Sequence, residues 1–214
     1  MRAIVPYGAV DPKTRLNGVL DDDERAVFAR IMLRSVLTTL REAGHEPTVL
    51  STAPLGETAL APSTTVVVDD RPLTAAVNDQ LAAANTPRLI MMADLPLATP
   101  PAVKRLTTAS DDAGTDADIA IAPGLGGGTN ALVVREPAFR VDYHGASYLD
   151  HRAAAADCGA TVSVVDSRQL ATDIDEPSDL AEVLIHGDGP ARAWLDDAGF
   201  ELDTDDGRVG VRRR

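Results

Sequence analysis

The sequence predicts an α/β fold built on a mostly parallel sheet covered by helices on both faces. Two observations carry this. Short apolar runs alternate with longer amphipathic ones in the order β-α-β-β-α-β-α-β as far as Pro123. The strand runs are also apolar along their length, as expected where both faces of a sheet are buried.

Taken in order, "RAIVPY" (2–7) reads as a buried first strand, and a polar loop runs from it to Leu20. Asp21 to Glu24 has the Asp-x-x-Glu form of a capping box. An apolar stripe through Val27, Ile31, Val36 and Leu40, with Phe28 and Met32 beside it, predicts a helix that Gly44 terminates. "PTVLS" (47–51) and "TTVVVDD" (64–70) are strands, the latter ending in Asp69-Asp70. "PLTAAVNDQLAAAN" (72–85) is a helix, "RLIMMA" (88–93) a strand, and "PPAVKRLTTAS" (100–110) a helix with proline near its start. "ADIAIAP" (117–123) is a strand, and a glycine-rich loop then feeds another in "GLGGGTNALVV" (124–134). "SYLDHRAAAADCG" (147–159) is helical, "TVSVVD" (161–166) a strand, and "EPSDLAEVLIHG" (176–187) and "GPARAWLDDAG" (189–199) are helices. "FELDT" and "RVGVRR" around Asp206-Gly207 carry a terminal hairpin signal.

With no linker, repeat or low-complexity tract, residues 1–214 are expected to form one domain. The net charge is −13, with the acids dispersed, and the only lysines are Lys13 and Lys104 against 18 arginines. Two explanations stay open: adaptation to high salt, where self-repulsion is screened, or the codon bias of a high-GC genome. No basic stripe with interleaved aromatics is present, so nucleic acid is not an expected partner. The single cysteine, Cys158, excludes an internal disulfide framework and a multi-cysteine metal site, and the four histidines lack metal-binding spacing. No apolar run approaches the roughly 20 residues that span a bilayer, so no membrane association is expected. "MRAIVPYG" reads as a strand and not a signal peptide, and a soluble cytoplasmic protein follows.

Four motifs carry chemistry. In "RLIMMADLP" an apolar run ends on Asp94. That acid is either turn punctuation or a metal ligand at the carboxyl end of a parallel strand, where open α/β sheets place their ligands. "TDIDEPSDL" alternates Asp173 and Asp175, so an extended backbone points both carboxylates one way. Acids crowd helix starts for dipole reasons, but a magnesium ion also wants a few carboxylates with the remaining positions left to water and phosphate oxygens. "GLGGGT" is not a dinucleotide fingerprint, since Thr129 occupies the last glycine position and a strand follows. Gly126, Gly127 and Gly128 with Thr129 and Asn130 form either a plain crossover or a loop offering backbone N–H groups to an anion. Lys13 and Arg15, in the loop after the first strand, supply a point charge and a planar fork suited to phosphates, or else a solvated loop.

"PKTRL", "MADLPL", "GGGTNAL", "HGASYLDH" and "DIDEPSDL", in that order and spacing, resemble the archaeal 2-phospho-L-lactate guanylyltransferases, and the "LIHG" and "GRVG" stretches extend the likeness along nearly the whole chain. A halophilic source is expected. The resemblance implies a three-layer nucleotidyltransferase fold, glycosyltransferase-A-like, with a mixed, mostly parallel sheet. It implies transfer of GMP from GTP to 2-phospho-L-lactate, giving lactyl-diphospho-guanosine and diphosphate on the route to the deazaflavin coenzyme factor 420. Carried over, Asp94, Asp173 and Asp175 hold magnesium, and Lys13 and Arg15 receive the triphosphate. Thr129, Gly145 and Ser147 hold the acceptor, with Gly126–Gly128, Asn130 and His151 beside them, and a homodimer is the expected assembly. One departure stands out: relatives often carry a further lysine early in the first loop, where this chain has Gly8 and Ala9. Phosphoenolpyruvate stays open as acceptor. The rival readings are another guanylyl- or sugar-nucleotidyltransferase of the same fold, or a non-catalytic nucleotide-binding protein.

Overall fold

The computed structural model describes the chain except residues 57–59, 62, 111–113, 206 and 208. The first eight elements follow the expected order. They are β1 (Arg2–Tyr7), α1 (Asp22–Glu42), β2 (Glu46–Ser51), β3 (Thr65–Val68), α2 (Leu73–Ala82), β4 (Arg88–Met91), α3 (Pro100–Thr107) and β5 (Ile119–Pro123). Then come β6 (Thr129–Val134), α4 (Ser147–Asp157), β7 (Val162–Val164), α5 (Arg168–Ala171), α6 (Asp179–His186), α7 (Pro190–Asp197), β8 (Phe200–Asp203) and β9 (Gly210–Arg213). Seven strands form one sheet in the order β3-β2-β1-β4-β6-β5-β7. All are parallel except β6, which runs antiparallel to both β4 and β5.

Helix α1 shows how local sequence builds the frame. The Asp21 carboxylate accepts from Glu24 N at 2.9 Å while the Glu24 carboxylate accepts from Asp21 N at 3.0 Å, closing the expected capping box. Gly44 sits at φ 83° just past the other end, where a side chain would be strained, and His45 N closes the helix onto Leu40 O at 2.9 Å. The buried stripe is centred on Phe28, Met32, Val36 and Leu40, with Leu33 and Leu37 beside it. Val27 and Ile31 are only half-buried, so the true stripe runs one position beyond the expected one at its start.

Side chains leave a strand alternately on either face, and here both faces are apolar. Ala3, Val5, Leu89, Met91 and Val133 pack with α1 and α3, while Ile4, Ile90, Leu132 and Ile121 pack on the opposite face with α2 and α4. A third cluster unites Leu16, Leu20, Phe28, Met32, Ile174, Leu180, Leu184, Leu195 and Phe200. It fastens the first loop and the segment around Ile174 to the same end of α1. The β8–β9 pair is the expected hairpin; Gly207 of its turn has φ 76°, while Asp206 lies outside the described residues. The four-residue α5 has no counterpart in the sequence reading. No described helix is long and apolar enough to cross a membrane.

Candidate active site

The loop after β1 is held in a conformation that most residues avoid. Asp11 and Lys13 both lie in the left-handed region, at φ 43° and 57°. A buried arginine of α1 secures them: Arg25 donates from Nε to Pro12 O at 3.2 Å and from Nη2 to Asp11 Oδ1 at 2.7 Å. Its Nη1 reaches Asp22 Oδ1 at 2.9 Å. A single 3-10 turn (Thr14–Leu16) follows and plants Leu16 in the third apolar cluster. Lys13 and Arg15 are thereby fixed at the carboxyl-terminal rim of the sheet.

The acids arrive from the far half of the chain. Ile174 N donates to Asp94 O at 3.1 Å, which ties the turn after β4 to the Asp-Ile-Asp segment, and the fully buried Ile174 anchors that segment. Lys13 Nζ sits between two carboxylates, 2.5 Å from Asp94 Oδ2 and 2.7 Å from Asp175 Oδ1. Burial alone pulls this lysine's pKa down, but Asp94 and Asp175 outweigh burial and hold it above the ordinary lysine range. Arg15 Nη1 stands 3.4 Å from Asp175 Oδ2. Asp179 caps the turn, accepting from Asp175 N at 2.9 Å and Glu176 N at 2.7 Å. Asp173 faces elsewhere: its Oδ1 accepts from Asn130 Nδ2 at 3.1 Å. Burial raises the Asp173 pKa, the Asn130 amide opposes this, and the nearby charges of Asp94 and Asp175 push it up further.

The expected magnesium ligands are thus neighbours without converging. Among the described residues no group of three or more His, Cys, Asp or Glu side chains closes on one point. A hard cation that keeps several waters needs only one or two carboxylates, and Asp94 with Asp175 meet that need. Asp94 Oδ1 is buried and has no hydrogen-bond partner among the described residues, a costly state that an additional cation would relieve. The Lys13 ammonium already occupies a cation position between the pair.

The glycine-rich loop closes on itself through Gly124 N to Gly128 O at 2.9 Å and Gly127 N to Gly124 O at 3.1 Å. Gly127 at φ 83° permits that turn, and Gly145 at φ 45° permits the one before α4. Tyr148 N donates to Gly127 O at 3.2 Å, joining the two turns, and a Cβ on Gly128 would stand 4.0 Å from Ser147 Oγ. Thr129 and Asn130, both buried, already have partners: Thr129 Oγ1 lies 2.9 Å from His151 Nδ1, and Asn130 holds Asp173. His151 is fully buried against Tyr143 and Phe139, and burial lowers its pKa to about 4.

A cavity of about 430 Å³ opens across the ends of β1 to β4. Lys13, Arg15, Asp94 and Asp175 line it, whereas the turns at 126–129 and 145–147 lie outside it. Its polar lining also includes Thr52, Asp69 and Arg71, none of which was picked out as a site from the sequence. Asp69 follows a strand of β-branched residues just as Asp94 follows β4, so the rule that singles out Asp94 applies to it equally.

Comparison with known proteins gives four findings. The family described as guanylyl transferase CofC like matches residues 1–214. A 2-phospho-L-lactate guanylyltransferase of Halomicrobium mukohataei is 54% identical over 213 residues, covering 100% of both chains. Among solved structures, a nucleotidyl transferase from Methanothermobacter superposes with a TM-score of 0.61 at 16% identity, covering 87% of this chain and 96% of that one. A manganese complex of Rv0371C from Mycobacterium tuberculosis superposes with a TM-score of 0.53 at 19% identity, covering 86% and 97%.

Proposed function

The chain belongs to the CofC-like guanylyl transferase family, and on that premise we propose how its residues carry out the transfer. The enzyme moves GMP from GTP to 2-phospho-L-lactate. A phosphate oxygen of the acceptor attacks the α-phosphorus, the bond from that phosphorus to the β-bridging oxygen breaks, and diphosphate departs. The attacking phosphate is already ionised near neutral pH, so no general base is required. The difficulty is repulsion between anions, and positioning with charge neutralisation supplies most of the catalysis.

The placement of Lys13 between Asp94 and Asp175 in the cavity lining carries this reading. Asp94 and Asp175 would hold magnesium, with Asp173 close enough to tune their charge, and the ion would supply positive charge to offset that of the phosphates. Lys13 and Arg15 then receive the β- and γ-phosphates, taking over the role of the lysine absent at Gly8 and Ala9. The acceptor's carboxylate and phosphate are bound by the turn at Gly126–Thr129 and by Gly145 and Ser147. Thr129 is oriented by His151, and Asn130 serves the site by fixing Asp173. A single domain over residues 1–214 and a homodimer complete the proposal; sedimentation velocity checks the latter.

The test is diphosphate release from GTP with a panel of phosphorylated three-carbon acids, phosphoenolpyruvate included. Losing a donor to a charged group costs about 1.5–3 kcal/mol, so Ser147→Ala and Thr129→Val should raise KM for phospholactate about ten- to a hundredfold. KM for GTP should barely move. A collapse of GTP affinity with intact acceptor affinity reverses the assignment of the two subsites.

A further inference from the structure

Nothing in the phosphate chemistry uses the opposite wall of the cavity. That wall comes from the ends of β2 and β3 and the start of α2: Thr52, Asp69, Arg71, Leu73 and Ala76. Strands β3 and β4 lie three interstrand steps apart, roughly 14 Å at about 4.8 Å per step. That distance leaves room for a sugar and a base between the acids and Asp69. The Asp69 side chain is only 10% exposed and accepts from Arg71 Nε at 2.9 Å and Nη2 at 2.6 Å. Asp79 holds Arg71 from α2 at 3.3 Å. The guanidinium is therefore pinned, and its Nη1 has no partner among the described residues. Leu73, the first residue of α2, is a large apolar side chain 38% exposed on the same wall. A flat ring lying there would cover it.

We propose that Asp69 and Arg71 read the guanine of GTP. Along one edge guanine presents its 2-amino group, N1–H and O6, which is donor, donor, acceptor. A carboxylate beside a guanidinium offers the complement: acceptor lone pairs on Asp69, then the Nη1 donor of Arg71. Adenine presents an acceptor at N1 and a donor at its 6-amino group, so it opposes both partners. Hypoxanthine keeps N1–H and O6 and lacks only the 2-amino donor.

This proposal rests on the placement of the triphosphate at Lys13 and Arg15, and the test separates the two. Binding of GTP, ITP, ATP and inorganic tripolyphosphate is measured calorimetrically on the full chain with magnesium. The wild type should prefer GTP to ITP by about tenfold or more, the scale of one hydrogen bond to a charged group, and ATP should bind more weakly still. Asp69→Asn should bring the GTP-to-ITP ratio close to one. Arg71→Gln should weaken GTP and ITP together and relieve the opposition to the 6-amino group of ATP, so that the GTP-to-ATP ratio falls. Tripolyphosphate should bind both variants as it binds the wild type, which also shows that they are folded. Should Asp69→Asn fail to fold, the GTP-to-ATP ratio of Arg71→Gln decides alone. A GTP-to-ITP ratio unchanged in Asp69→Asn, or a GTP-to-ATP ratio unchanged in Arg71→Gln, with intact tripolyphosphate binding, overturns the base assignment and leaves the phosphate end standing. If tripolyphosphate fails to compete with GTP, or Lys13→Met does not weaken it, the phosphate placement falls and takes the base assignment with it.

Discussion

Replacing Lys13 by methionine keeps the apolar stem and removes the charge that separates Asp94 from Asp175. The side chains of Lys13, Asp94 and Asp175 are 12%, 23% and 40% exposed, so the pairing is neither buried nor fully solvated. Breaking a buried pair costs about 3–5 kcal/mol and an exposed one about 0–1, which places this loss near 2 kcal/mol. For a chain of this size that lowers Tm by about 4–8 °C. The sign reverses for a metal ion. In the wild type the ion must displace the ammonium, whereas in Lys13→Met it meets Asp94 without a cation, Asp175 held only by Arg15, and the nearby Asp173. Manganese should therefore bind the variant about tenfold tighter or more without nucleotide, and should restore its Tm, even though turnover is lost. Calorimetric melting in chelator and in manganese, with titration of the free ion by electron paramagnetic resonance, gives both quantities. A variant as stable as the wild type in chelator, with no gain in manganese affinity, would refute the idea that Lys13 stands in for a cation.

Three further outcomes are expected. Arg25→Gln should lower kcat about ten- to a hundredfold by loosening the loop that aims Lys13, with Arg25→Lys recovering part of it; loss of stability alone, with kcat intact, would assign Arg25 a purely structural role. His151 has an ordinary pKa near 6.5 when unfolded and about 4 when folded, so the folded state prefers it neutral. Its contribution, at most about 3 kcal/mol, is complete above pH 6.5 and lost as pH falls towards 4; comparing Tm of wild type and His151→Gln from pH 7.5 downward should show a shallower decline in the variant. Tm should also rise with potassium chloride into the molar range, given the net charge of −13, and a flat or falling profile would return the arginine-for-lysine bias to genome composition.

The elements were legible because local signals agreed with one another. Asp21 and Glu24 announce the start of α1, Gly44 its end, and the apolar runs mark the strands. What the sequence withheld is the pairing of distant segments. Nothing in "GLGGGTNALVV" says that β6 turns antiparallel and enters between β4 and β5, since that depends on which edge of the sheet is free. Similarly, Asp173 and Asp175 alternate in sequence, yet one finds Asn130 and the other Lys13, because Ile174 is drawn into the core between them. Arg25 was not singled out from the sequence. Its burial follows from the left-handed loop above it, which no periodicity reports.

The reversed strand has a consequence for how such an enzyme diversifies. Since β6 runs against its neighbours, Thr129 and Asn130 begin it at the same rim where β4 ends, and Met92 N donates to Asn130 O at 2.9 Å across that line. β4 becomes a seam. On one side lie the first loop and the ends of β2 and β3; on the other lie the two glycine turns, and Asp94 stands at the join. Insertions or substitutions in the turns around residues 126 and 145 can accumulate without disturbing the wall that holds Asp69 and Arg71. With the acceptor at the glycine turns and guanine at Asp69 and Arg71, as proposed, a lineage is free to trade one small phosphorylated acid for another while its nucleotide stays the same, and the two specificities can be inherited separately.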